Sequence, residues 1–321
     1  MKCDDKAPYI SKNILKRSSD ASLQCNQYAN DLDILSQFPF TVGLDYKQQG
    51  PNKSTAILDS TNSSVVMIQL RQAGGIVPES VFCLLNLQAL DIMNMFFMND
   101  VVPHTLSNLQ RLHTLSIINT PINKMTEKLG TLQKLESLAL DKCSLSQLPN
   151  LRTLQKLESL ALDKCSLSQL PNLSGLSKLI RLSLPNNRLS KLEGLIEIRS
   201  LSLYKNLFTK IPTLVVPESL GRLDMNFNPV MDMSIVTSFT NLTELRLSET
   251  KISVIPPEIH ELERLSFLDL AHTQINRIPR TILAMPSLQY LVVQRNAFPQ
   301  EEIDSIKMEL TKQKSKITLL I

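Results

Sequence analysis

The residues able to do chemistry in this chain are few, and their spacing works against most chemistry. Five cysteines are present: Cys3, Cys25, Cys83, Cys143 and Cys165. The number is odd and no two are spaced CxxC, so neither a zinc site nor a disulfide framework is expected. Free thiols in a reducing compartment fit better. His260 and Glu261 open the string HELER, but Arg264 stands where HExxH needs its second metal ligand. No GxxxxGK(S/T), GxGxxG or GxSxG string occurs, and Gly74-Gly75 reads as a turn after a strand rather than a phosphate loop. An enzyme of the ligase-effector kind would have to use Cys3 or Cys25 as nucleophile, with no histidine nearby in sequence. The expectation is no catalytic residue, no metal and no cofactor.

Composition narrows the remaining classes. Lys and Arg exceed Asp and Glu by only 34 to 30, too slight a bias for a nucleic-acid binder. A hydrophobic share of 43% places the chain among folded proteins. No apolar run approaches the roughly 18–20 residues of a membrane span. The opening MKCDDKAPYISKNILKR has no apolar h-region, so no secretory signal and a cytoplasmic location are expected.

The elements come from internal repetition. Residues 131–151 read TLQKLESLALDKCSLSQLPNL, and residues 153–173 repeat them letter for letter at an offset of 22. Such identity implies a tandem duplication of one structural unit, tolerable where each unit touches only its neighbours. The unit carries LxxLxLxxC at Leu135, Leu138, Leu140 and Cys143. The frame runs from Val65, Ile68, Leu70 and Ala73 to Leu288, Leu291, Val293 and Asn296, about eleven units in all. LxL is period-two alternation, so each unit contributes a short strand with alternate residues buried. The closing Asn, Cys or Thr ends the strand; a buried Asn can bond backbone groups of adjacent turns, with Cys and Thr as weaker substitutes.

This recurrence resembles the leucine-rich repeat family, whose signature is LxxLxLxx(N/C)xL, over about residues 62–321. The resemblance implies an α/β solenoid with a curved parallel sheet. Segments such as FTKIPTLV and KISVIPPEI place an apolar-Pro step on the return side, where Pro suits an extended segment outside the ladder. Units of 22 or 23 residues with that step resemble the intracellular repeats of Ras-pathway scaffolds and phosphatase regulators. That likeness implies a scaffold or regulator in intracellular signalling.

The expected division is residues 1–61 as an N-terminal arm and cap, partly disordered, residues 62–298 as the repeats, and residues 299–321 as the C-terminal cap. DLDILSQFPF, from Asp31, predicts a short helix on the first unit, and GPNKST a loop. PQEEIDSIKMELTKQK, from Pro299, predicts a capping helix with Ile303, Ile306 and Leu310 on one face, and KITLLI a terminal strand. Met93, Phe96, Phe97 and Met98 read as core or loop packing.

The non-Leu positions of the strands are expected to line the concave face. From Arg181 onward they become rich in groups typical of binding hot spots: Tyr204, Arg222, Asp224, Phe227, Glu244, Arg246, Phe267, Asp269, His272, Tyr290 and Arg295. Arg222 shares a column with Glu244, and Asp224 with Arg246, so lateral ion pairs are expected. The function expected is non-enzymatic binding of a protein partner on this face by a monomer. The alternative is a secreted or receptor-like recognition protein, supported by four glycosylation sequons beginning at Asn52, Asn62, Asn172 and Asn241. The absent leader and the lack of Cys-rich caps argue against it.

The repeat frame has a sharp consequence. Leu138→Asp places an unpaired charge between stacked units, at a cost of about 4–5 kcal/mol. The expected result is loss of cooperative melting in the units around residue 138; a melt equal to the parent's would mean the frame is wrong.

Overall fold

The computed structural model describes residues 23–44, 52–145, 147–312 and 316–321. Cys3, the basic KNILKR stretch and the start of the N-terminal arm lie outside them. The described residues form one sheet of 14 strands ordered as in the chain. The strands are β1 Val42–Gly43, β2 Ser54–Leu58, β3 Val65–Arg71, β4 Ala89–Met93, β5 Thr114–Ile118, β6 Ser137–Asp141 and β7 Ser159–Asp163. They continue as β8 Arg181–Ser183, β9 Ser200–Ser202, β10 Arg222–Asp224, β11 Glu244–Arg246, β12 Phe267–Asp269, β13 Tyr290–Val292 and β14 Thr318–Leu320. Only β2 and β3 pair antiparallel; every other neighbouring pair is parallel. No helix among the described residues is long and apolar enough to cross a membrane.

The LxL alternation is the reason for the register. In the duplicated units, Leu138 lies beside Leu160 and Leu140 beside Leu162, all buried at 2% exposure or less. The intervening Ser137, Ala139, Ser159 and Ala161 face the other side and are half-buried. A one-residue slip would exchange the two sets, so burial fixes the register. On the return side Ile211, Ile255 and Ile278, each before a proline, fill the core. Pro256 and Pro279 are extended and open 3₁₀ turns at Pro257–Glu261 and Arg280–Ala284. Those turns bury Ile259, Ile282 and Leu283.

The turn from strand to return segment is built from two adjacent residues. The first is in the left-handed region in ten successive units: Asn94, Asn119, Lys142, Lys164, Asn186, Lys205, Phe227, Glu249, His272 and Arg295, with φ between 49° and 59°. Its amide points along the solenoid: Lys205 N–H donates to Asn226 O at 2.8 Å, Phe227 N–H to Ser248 O at 2.9 Å and His272 N–H to Gln294 O at 2.8 Å. The second is the ladder residue. Asn228 Oδ1 accepts from Phe208 N at 3.0 Å, while its Nδ2 donates to Leu203 O at 2.8 Å and Met225 O at 3.0 Å. Asn187, Asn206 and Asn296 repeat the arrangement. Among the described residues the Thr250 side chain makes one bond, from Oγ1 to Leu247 O at 2.7 Å, as expected of a shorter substitute.

The N-terminal end departs from several expectations. Ser54 and Thr55, read as loop, begin β2 and are buried. The boundary drawn at residue 61 falls in the turn of the β2–β3 hairpin. Helix α1, Asp31–Ser36, is capped by the Asn30 side chain and buries Ile34 and Leu35. Asp31 Oδ2 accepts from Val65 N at 2.7 Å, tying this helix to β3. Met95 and Phe97 are core, whereas Phe96 and Met98 are exposed.

The cysteines require a correction. Cys25 is joined to Cys83, fastening the cap to the first unit, and Cys143 is joined to Cys165. Neither spacing contains a CxxC, because one bond crosses the cap and the other crosses one whole repeat. Cys143 and Cys165 do occupy the ladder position and are buried, but they face each other there as a pair. At the other end α2, Gln300–Lys312, buries Ile306, and β14 closes the sheet beside β13. Glu301 and Glu302 in the first turn of α2 and Lys312 in its last suit the helix dipole.

The ladder gives the second expected outcome. Asn228→Ala leaves Phe208 N–H buried without its partner and takes from Leu203 O one of its two donors, Asn206 Nδ2 remaining at 3.1 Å, a loss of about 1–3 kcal/mol for the orphaned amide. Chemical denaturation should show it; a stability equal to the parent's would remove the ladder from the account.

Candidate functional site: an aromatic and arginine patch on the concave face

The sheet sorts the expected residues into rows. Register places Arg181, Ser200, Arg222, Glu244, Phe267 and Tyr290 in one row across β8 to β13. Ser202, Asp224, Arg246, Asp269 and Val292 form the next. Phe227, His272 and Arg295 were read as strand positions, and the structure corrects this: they are the left-handed corner residues just before the ladder Asn or Thr. Tyr204 also lies beyond its strand, between β9 and the corner. The corner row bounds one edge of the face.

Contacts run from the first row through Arg246 of the second and back to the first. Arg222 Nε lies 3.8 Å from Glu244 Oε2, and Glu244 Oε1 accepts from Arg246 Nε. The Arg246 guanidinium stands 4.7 Å over the Phe267 ring, which lies 6.0 Å from the Tyr290 ring at a tilt of 44°. Four strands therefore carry one connected polar and aromatic surface. The Arg222–Glu244 pair fits the lateral pairing expected. The Asp224–Arg246 pair is a correction, since Arg246 turns to Glu244 on its own strand instead. At 71% exposure, Arg222 gains little from its ion pair and keeps donors for another acceptor. Tyr290 is 46% exposed although apolar over most of its area.

A second aromatic pair lies at the corner edge, where Phe227 meets Tyr204 edge-on at 5.2 Å. Phe227 is 43% exposed and holds φ 58°, a conformation that bulky residues seldom adopt. Next to it, Lys205, Phe227, Glu249, Lys251 and His272 wall a shallow hollow of about 390 Å³. Glu249 Oε1 lies 3.2 Å from His272 Nδ1. Sequence reasoning passed over Lys205 and Glu249. Their signal was available: each immediately precedes the ladder residue, as Phe227 and His272 do. Arg181 and Arg295 are exposed, one at each end of the patch.

Asp224 and Asp269 flank Arg246, and burial pushes both carboxyls above the usual range. Backbone bonds from Asn226 to Asp224 and from Ala271 to Asp269, and the nearby Arg246 charge, oppose that rise only in part. Among the described residues no group of three His, Cys, Asp or Glu side chains is placed to hold a metal ion.

Comparison with known proteins agrees with this geometry. Residues 240–298 match the family model described as leucine rich repeat. An internalin from Listeria monocytogenes superposes with a TM-score of 0.60 at 22% identity, over 82% of this chain and 84% of that one. The fold is a leucine-rich repeat solenoid. Its sequence relatives include receptor-like protein 54 of Arabidopsis thaliana, 35% identical over 116 residues, which are 36% of this chain and 14% of that protein. Leucine-rich repeat and IQ domain-containing protein 4 of Homo sapiens is 35% identical over 96 residues, 28% of this chain and 17% of that protein. The matched segments thus span under a fifth of the length of either relative.

The raised carboxyls set a pH dependence. Their folded pKa values lie above the unfolded one, so the folded state takes up protons first as pH falls. Burying the two charges costs stability at neutral pH, and this cost disappears as pH falls toward the unfolded carboxyl value. The double variant Asp224→Asn, Asp269→Asn should lack that component when melting is compared between neutral pH and about pH 4. A variant with the parent's full pH slope would overturn the assignment.

Proposed function

We propose that the chain is a non-enzymatic recognition module that binds a protein partner on the concave patch, working as a monomer in an oxidising compartment. The observation that carries this is the connected run Arg222, Glu244, Arg246, Phe267 and Tyr290, with exposed aromatics that a monomer has no internal reason to keep. Stacked repeats hold these side chains in place beforehand, so little ordering entropy is lost on binding. Aromatic and arginine side chains are also those most often dominant in interface energetics.

The compartment rests on the two disulfides, since such bonds persist where thiols are not kept reduced. Cys25–Cys83 also supplies the stapled N-terminal cap whose lack had argued against a secreted or receptor-like protein. The receptor-like relative from Arabidopsis points the same way. The second reading is the cytoplasmic scaffold or regulator in intracellular signalling, favoured by the 22–23-residue units with their apolar-Pro step.

Capture from native extract tests the site, comparing the parent with a variant carrying alanine at Tyr204, Arg222, Arg246 and Phe267 after both are shown to fold. A protein held by the parent and lost by the variant is expected, with affinity reduced at least tenfold. Equal capture by both would remove the patch from the interface. Counting thiols in freshly alkylated native protein tests the compartment: Cys25, Cys83, Cys143 and Cys165 should be blocked. Five reactive thiols, Cys3 and these four, would return the cytoplasmic reading.

A further inference from the structure

The duplicated units part in sequence at the end of the second copy. In the first copy Asn150 is followed by Leu151 and Arg152; in the second, Asn172 is followed by Leu173 and Ser174. The backbone geometry is the same in both. Asn150 Oδ1 accepts from Arg152 N at 3.0 Å, and Asn172 Oδ1 accepts from Ser174 N at 2.8 Å. Only the second copy is therefore a glycosylation sequon. Asn172 and Ser174 are both exposed, and the oxygen of the Asn172 amide is engaged while its Nδ2 has no partner among the described residues.

We propose that Asn172 is an N-linked glycan acceptor; this rests on the oxidising-compartment reading. The Asn172 Nδ2 forms a bond to the anomeric carbon of a lipid-pyrophosphate-linked oligosaccharide. The bond from that carbon to the pyrophosphate oxygen breaks, the lipid pyrophosphate leaves, and one amide proton passes to a base of the transferase. No oxidant or reductant is needed.

The fold accommodates a glycan here better than at two of the other sequons. Asn241 is half-buried and its Nδ2 donates to Glu218 O at 2.8 Å, a bond that a glycan would weaken. In the Asn52 sequon, Ser54 is buried in β2 with its Oγ accepting from Arg71 N at 3.0 Å. At Asn172 the neighbouring unit presents Gly194 at φ 77°, where a Cβ would stand 2.9 Å from Asn172 Oδ1. That glycine lets the turn seat closely while its amide nitrogen remains outside. Asn172 also belongs to the return segment, after ladder residue Cys165 and before β8, so a glycan there leaves the strand face open.

Trypsin cuts after Lys142, Arg152, Lys164 and Lys178, which separates the copies into peptides beginning at Cys143 and at Cys165. Native protein is alkylated, then reduced and alkylated with a second reagent, then treated with peptide:N-glycanase in ¹⁸O water. Each peptide reports its cysteine and its asparagine together. The expected result is ¹⁸O-labelled aspartate at position 172, unchanged Asn150, and the second reagent on Cys165. Unlabelled Asn172 with the second reagent on Cys165 would overturn the glycan site while leaving the oxidising compartment in place. Unlabelled Asn172 with the first reagent on Cys165 would overturn both. Label at 172 with a free Cys165 would uphold the site and remove the second disulfide.

Discussion

Every turn of this solenoid has to leave the sheet without leaving buried backbone groups unpaired. Two adjacent residues meet that demand. The corner residue takes a left-handed conformation and gives its amide to the next unit; the ladder residue fills the interior and bonds the previous one. Left-handed backbone is costly for ordinary residues, roughly 1–2 kcal/mol each, so the corner is sustained by what it connects. The LxL alternation sets the strand register, and this two-residue device sets where each strand ends and the return segment begins.

Much of the architecture was legible because the LxL alternation and the ladder position recur in one frame. Leu138, Leu140, Leu160 and Leu162 are core in the sequence pattern and in the structure alike. The place of the corner could be counted from the ladder residue, but its left-handed conformation was not legible, because it is imposed by neighbouring turns and not by residue type. Asn, Lys, Phe, Glu, His and Arg all occupy it. The disulfides escaped notice for a related reason. Cys25 and Cys83 are 58 residues apart, and only the folding-back of the cap brings them together. The β2–β3 hairpin likewise carries no repeat signature, since its two strands pair antiparallel where every repeat unit pairs parallel.

The patch itself was half legible. Counting positions put Arg222, Glu244, Phe267 and Tyr290 in one row, since their register follows directly from the frame. Side-chain direction could not be counted. Arg246 has an aspartate on each neighbouring strand at its own level, yet bonds Glu244 and covers Phe267. The same freedom shows in the duplicated units, where sequence is identical but neighbours differ: Lys142 reaches Asn119, while Lys164 pairs with Asp163.

The exact duplication has a metrical consequence. The two copies lie between the disulfide-fastened cap and the aromatic patch, and each adds one strand to the sheet. One strand is about 4.8 Å of length and a small increment of rotation. Each copy thus acts as a spacer, so a chain with one fewer or one more would hold the same patch at a different distance and bearing from the cap. The span between the two ends can thus be adjusted in whole strand steps, with the chemistry at either end left untouched.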